Sequence, residues 1–362
     1  MILNSIIPLP FYTPLFYNVV LVVVLVSVLR LFVKGYVIQN PNKKETTSLI
    51  LLIAVTLYMG LRPISFAFGD MGIYAKYFRE FANGAAITNN KDYLWRLFMK
   101  LCSGIMSAQY FFLLCAILYV VPLYSAVKKW FGADRYFIFL MLIASFSFWP
   151  YGTNGIRNGI ATSFVVYALS LPKNNYIKYG IFLIAYFIHG SIIVPIAAYA
   201  LTLYHNNTRH YLIGWLLVIP LSLVFGSYWE SIFASIGFGG ERLKYLGDSI
   251  DKSQFSRIGF RWDFLVYSAA AVYAGYYFIL KRNFNDKVYI QLFNIYVTAN
   301  AFWILVIRSS FSNRFAYLSW FLMAIIIFYP FFKQQFFVKQ QKVLAYTVLV
   351  YYGFTYFMFL IT

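Results

Sequence analysis

Two short polar breaks in an apolar stretch carry the residues best suited to chemistry. Between Trp149 and Tyr204, two hydrophobic spans meet around Asn154-Gly155-Ile156-Arg157-Asn158-Gly159, and two more meet at His189-Gly190. Both breaks are too short to be loops of a separate domain. Arg157 and His189 therefore fall at or just inside the edge of an apolar layer, where a cation or an imidazole is costly without a partner. A guanidinium is a planar fork matched to phosphate, and an imidazole can act as a general base. The same chemistries recur along the chain. Arg62, Arg308 and Arg314 also stand at the ends of apolar runs, and Asp70 lies in Gly69-Asp70-Met71-Gly72, where the glycines suggest a turn that exposes its carboxylate.

The elements that must position these residues are membrane spans. The 362 residues are 62% hydrophobic and 11% charged, whereas about a quarter of a soluble domain is charged. The chain reads as an all-α, polytopic membrane protein forming one domain over 1–362, with outer segments at about 62–109 and 227–262. Apolar runs fall near 10–33, 47–61, 110–127, 136–150, 159–171, 176–189, 190–204, 211–226, 263–280, 288–307, 314–332 and 343–360, which makes about twelve transmembrane helices. Those at 47–61 and 159–171 are shorter than the ~20 residues a crossing needs, so they extend into flanking residues or are buried and broken. The first run lacks the basic leader of a signal peptide and is kept as a span.

Cys102 and Cys115 are too few for a disulfide framework or a metal site, and read as structural thiols. A net charge of +19 would suggest nucleic acid in a soluble protein. Here the basic residues punctuate the apolar runs, so no nucleic-acid partner is expected. The joints with Lys34, Lys43, Lys44, Lys128, Lys129, Arg135, Lys173, Lys178, Arg209, Lys281, Arg282, Lys287, Lys333, Lys339 and Lys342 all fall on one side, which the positive-inside rule makes cytoplasmic, with both termini outside. Most lysines lie inside and most arginines outside. Arginine on the outer face suits an anion; contact with lipid headgroups is the bland alternative. Of the acids, only Glu45, Asp134 and Asp286 fall inside and none at mid-membrane. A proton relay through the bundle and a paired-carboxylate site for a metal nucleotide are thereby disfavoured.

Tyr93 to Met106 places Leu94, Leu97, Phe98 and Leu101 at helical spacing, with Arg96 and Lys100 on another side, as an interfacial amphipathic helix would. The second outer segment mixes Trp229, Phe233, Phe238-Gly239-Gly240-Glu241-Arg242, Tyr245 and Arg257 to Trp262. Rings beside charges suit carbohydrate, and an interfacial aromatic belt explains them as well. Near the C-terminal third, Gln291, Asn294, Thr298, Leu305 and Arg308 follow one helical face. This polar stripe serves either a substrate groove or helix–helix hydrogen bonding.

Four pieces together resemble the bacterial polysaccharide polymerase family called Wzy, in its EpsG-like branch. They are Gly69-Asp70-x-x-x-Tyr74, Asn154-x-x-Arg157-x-x-Ile160-Ala161, Ala185-Tyr186-Phe187-Ile188-His189-Gly190-Ser191 and Asn313-Arg314-Phe315, within roughly 57–330. The resemblance implies a glycosyltransferase of GT-C-like architecture in the bacterial inner membrane, with no cofactor. Its substrates would be undecaprenyl-diphosphate-linked oligosaccharide repeat units, donor and acceptor both, joined at the periplasmic face into O-antigen, capsule or exopolysaccharide. A chain-length regulator would be a natural further partner. On this reading Arg157 and Arg314, with Arg62 or Arg308, hold the donor diphosphate in place of a metal ion, each charge-assisted bond contributing roughly 1.5–3 kcal/mol. His189 and Asp70 are the candidates for the base, and Asp70 could instead orient an arginine. An O-antigen ligase and a flippase for the lipid-linked unit remain alternatives, with a membrane O-acyltransferase behind them.

Overall fold

The computed structural model describes residues 7–33, 41–88, 93–235, 259–309 and 312–361. Among them there are helices and no strands, and all twelve apolar runs of the sequence are largely helical. The contacts group the chain into two compact units, 1–190 with 331–362, and 191–330.

The first unit begins with α1 (Leu9–Val33), α2 (Pro41–Gly60), α3 (Asp70–Ala82) and α4 (Tyr93–Ser103). It continues with α5 (Ala108–Phe131), α6 (Arg135–Ile143), α7 (Phe148–Thr153), α8 (Ile156–Leu169) and α9 (Tyr176–Ile188). The second unit holds α10 (Ile193–Tyr204), α11 (Thr208–Ser235), α12 (Trp262–Tyr276), α13 (Lys287–Leu305), α14 (Ser312–Trp320) and α15 (Met323–Phe328). The last helix, α16 (Gln340–Ile361), returns to the first unit and packs along α1.

By length and composition, seven stretches among the described residues can cross a membrane: Leu9–Val33, Ala108–Ile143, Thr208–Gly226, Trp262–Lys281, Lys287–Leu305, Ser312–Phe332 and Gln340–Ile361. Glu45–Gly60, Tyr176–Ile188 and Gly190–Tyr204 are shorter apolar helices. The protein is thus a polytopic helical membrane protein. The sequence splits Ala108–Ile143 into two runs because Lys128, Lys129, Asp134 and Arg135 interrupt it; in the structure Gly132, at φ 53, marks the joint. Most of α8 is buried, so its 14 residues answer to protein neighbours rather than to the thickness of a bilayer.

Two ends of the first unit differ in chemistry. At one, Arg135 reaches Glu45 at 2.7 Å, Ser48 at 3.2 Å, Tyr124 at 3.1 Å and the Gly132 carbonyl at 2.9 Å, while Lys128 lies 3.7 Å from Glu45. At the other, the Gln109 amide opening α5 donates to the carbonyls of Gly60 and Arg62 past the end of α2. Because α2 and α5 pack on each other, these ends are separated by the length of α5, about 35 Å at 1.5 Å per residue. The joint that carries Lys128 and Arg135 therefore lies at one end of this unit and Arg62 at the other.

The amphipathic helix is present as α4, but its buried stripe is Trp95, Met99 and Cys102. Leu101, expected on the apolar face, is 64% exposed. The large Trp95 ring decides the rotation, packing against Tyr74, Phe98 and Phe111 with centroids 5.5, 5.8 and 5.8 Å away.

Candidate functional site

Arg157 is the second residue of α8, which starts after Gly155, an N-cap residue that has no side chain to cap the first turn. Its Nε donates to the Tyr74 hydroxyl at 2.8 Å, and its Cζ lies 5.7 Å from the centre of that ring. Helix N-termini carry partial positive charge, so a guanidinium and the start of α8 favour an anion jointly. Arg157 is half-buried, which strengthens charge-assisted bonds relative to open water.

Asp70 is the first residue of α3, where a carboxylate complements the helix dipole. Its backbone N–H donates to Asn154 Oδ1 at 3.1 Å, tying α3 to the turn before α8. The chain enters α3 through Gly69 at φ 60, and a Cβ there would sit 2.2 Å from Asn154 Oδ1. Only glycine allows both the left-handed backbone and the approach of Asn154. The expected glycine turn is thus present, with the Asp70 side chain half-buried. Among the described residues no ion-pair partner lies against its carboxylate.

His189 terminates α9, with its N–H on the Ala185 carbonyl at 3.0 Å and an extended backbone. The turn 170–175 joins α8 to α9 and the two helices pack together. The hairpin therefore returns His189 to the end at which Arg157 stands. Helix α9 also packs on α4, so His189, Arg157, Tyr74 and Asp70 belong to one end of the first unit.

Arg62 stands at this end too, in a different state. It is 1% exposed, donates through its terminal nitrogens to the carbonyls of Met59 and Thr153, and lies 5.5 Å from the Phe68 ring and 5.9 Å from Phe112. Burial pushes its pKa down to about 10, against a smaller opposing pull from Cys115 and Tyr12. It stays charged at neutral pH. The structure thus commits this guanidinium to closing the end of α2 and the end of α7.

In the second unit, Arg308 is exposed and donates to the Leu223 carbonyl at 3.1 Å, with Gly226 beside its stem. Arg314 is half-buried in the first turn of α14. Helices α13 and α14 pack on each other across a short connection, which brings both arginines to one end of that unit. Arg261 forms a two-pronged pair with Asp263, at 2.9 and 2.7 Å. Phe238, Gly239, Gly240, Glu241, Arg242, Tyr245 and Arg257, singled out for carbohydrate, lie outside the described residues.

The polar stripe of α13 is largely taken up by protein. Gln291 donates to Thr202 at 3.0 Å, Asn294 to Asn206 at 2.8 Å, and Thr298 to the Asn294 carbonyl. Of the two readings of this stripe, helix–helix bonding is the one its geometry satisfies. A second polar knot, one position off the stripe and not singled out in the sequence, joins Trp215, Asn300 and Ser319.

Tyr74 and Asn154 were visible as motif letters, yet their partners were not, because the bonds join residues 83 and 84 positions apart. Trp95 carried only the signal of an aromatic on an amphipathic helix. Among the described residues no three His, Cys, Asp or Glu side chains gather as metal ligands. Cys102 and Cys115 are buried free thiols.

These observations define a polytopic helical membrane protein with a cationic polar cluster at one end of its first unit. The EpsG family model matches residues 46–362, and the chain belongs to the EpsG family. At a coarse level this supports an exopolysaccharide-type polymerase. No curated protein and no solved structure matches the chain.

Proposed function

We propose that the protein joins undecaprenyl-diphosphate-linked oligosaccharide units at the outer face of the bacterial inner membrane, without a metal ion. The observation that supports it most is Arg157 in the first turn of α8, anchored on Tyr74 at 2.8 Å. In this reading the acceptor hydroxyl oxygen attacks the anomeric carbon of the donor, the bond from that carbon to the diphosphate breaks, and undecaprenyl diphosphate leaves. Arg157 and the start of α8 stabilise the charge that builds on the departing diphosphate. His189 or Asp70 takes the hydroxyl proton. Arg308 and Arg314 are the phosphate-binding candidates of the second unit. Arg62 supports the site by tying α2 to α7, with its two terminal nitrogens on the Met59 and Thr153 carbonyls. The outer assignment rests on the positive-inside rule, with Lys128, Arg135 and Lys333 at the opposite end of the first unit.

The experiment is polymer length in a deletion strain complemented with Arg157→Ala, at matched membrane expression. Collapse of long chains to a single repeat supports polymerisation through Arg157. Loss of all transferred glycan would point to a ligase or a flippase, and unchanged length would remove Arg157 from the site.

A further inference from the structure

We infer that Tyr74 is a positioning residue for Arg157, fixing the plane in which the guanidinium meets the diphosphate. This rests on the proposed function. A guanidinium binds a phosphate through paired parallel hydrogen bonds, so its orientation matters as much as its charge. A long arginine side chain does not hold one orientation unaided. Here the hydroxyl of Tyr74 takes the Nε–H at 2.8 Å while the ring flanks Cζ at 5.7 Å. The bond holds the edge of the guanidinium to a hydroxyl whose ring is itself packed in place, which limits rotation about the terminal bonds.

Tyr74 is itself held. It is 6% exposed, with its ring edge-on to Trp95 at 5.5 Å, and Trp95 is wedged among Phe98 and Phe111. Four residues upstream, the Asp70 N–H is fastened to Asn154, three residues before Arg157. Helix α3 packs mainly on α4 and on the turn Phe66–Phe68. The Asp70–Asn154 and Tyr74–Arg157 bonds therefore fix α3 at two points, one on the turn that leads into α8 and one on the first turn of α8 itself. That is a scaffold for one guanidinium, which packing alone would not need.

The test is a double-mutant cycle on the purified full chain in nanodiscs, with inorganic pyrophosphate as the calorimetric probe and melting followed in parallel. Tyr74→Phe keeps the ring and removes the hydroxyl. It is expected to weaken pyrophosphate binding on the order of tenfold, with melting unchanged, and to add nothing in an Arg157→Ala background. An equal loss in the two backgrounds, or no loss in either, overturns the inference while leaving the function reading intact. If Arg157→Ala alone binds pyrophosphate as the wild type does, the function reading fails as well, and the two failures are told apart by that single variant.

Discussion

The Arg62 guanidinium reaches across 91 positions of sequence to the Thr153 carbonyl, 3.2 Å away, inside a site from which water is excluded. It thereby joins the end of α2 to the end of α7, directly before the turn that carries Asn154 and Arg157. A buried cation is costly to desolvate, and each hydrogen bond from it to a carbonyl returns about 1.5–3 kcal/mol. Arg62→Ala removes both bonds and leaves a void, so a loss of about 2–4 kcal/mol is expected, read as a lower melting temperature and less protein in the membrane. Arg62→Lys should recover little, because a single ammonium lacks the fork. Wild-type melting with lost activity would return Arg62 to the diphosphate.

Gly69→Ala tests the seam between α3 and α8. The substitution meets Asn154 Oδ1 at 2.2 Å and places a side chain on a left-handed backbone. Backbone strain alone is worth about 1–3 kcal/mol, and relief of the clash requires breaking the Asp70–Asn154 bond. Polymer length should fall in this variant even where membrane levels are restored by growth at lower temperature. Normal length at normal expression would show that the register of α3 does not matter.

Much of the fold was legible because membrane helices announce themselves by composition: each apolar run became helix, and the joints at 128–135 and 333, which the lysine pattern groups on one side, lie together. The candidate site was legible in its letters and not in its contacts. Arg157, Asp70 and His189 reach one end of the first unit through a hairpin and a side-chain clamp, as their positions at span ends suggest. Arg62 carries the same type and span-end position as Arg157, yet burial makes it a structural tie. No sequence rule separates the two, because burial depends on Phe68, Phe112 and Thr153 arriving from elsewhere. The face of α4 that meets protein was not legible for a similar reason: three leucines outnumber one tryptophan, whereas the tryptophan has the aromatic partners.

Asn300 joins three helices of the second unit. Its side chain accepts the Trp215 indole N–H at 2.8 Å and donates to Ser319 at 3.0 Å, fully buried. Asn300→Leu preserves most of the volume and leaves a buried indole donor unsatisfied. Polar bonds between membrane helices average about 0.6 kcal/mol each, reaching about 1.7 kcal/mol, so the variant should melt a few degrees lower and keep its activity. Trp215→Phe in the same background should recover part of the loss, since it removes the orphaned donor. Loss of activity at unchanged melting would instead place Asn300 in contact with substrate.

The two candidate bases differ in surroundings, and this makes them separable. Asp70 presents a half-buried carboxylate at the start of α3, fastened by its own backbone and with no described ion-pair partner. His189 closes α9 on an extended backbone and belongs to the hairpin that carries Arg157. A general base in proton transfer contributes on the order of a hundred- to ten-thousandfold to turnover. If Asp70 is the base, Asp70→Asn lowers the rate by that factor in a membrane assay with lipid-linked repeat units, and Asp70→Glu restores part of it. His189→Gln then costs far less, since an amide can still hold a turn through hydrogen bonds. The opposite pattern assigns the proton to His189 and leaves Asp70 to orient its neighbours. Equal, small losses in both variants would mean that the acceptor hydroxyl is deprotonated late and without a base, leaving stabilisation of the departing diphosphate as the main source of rate.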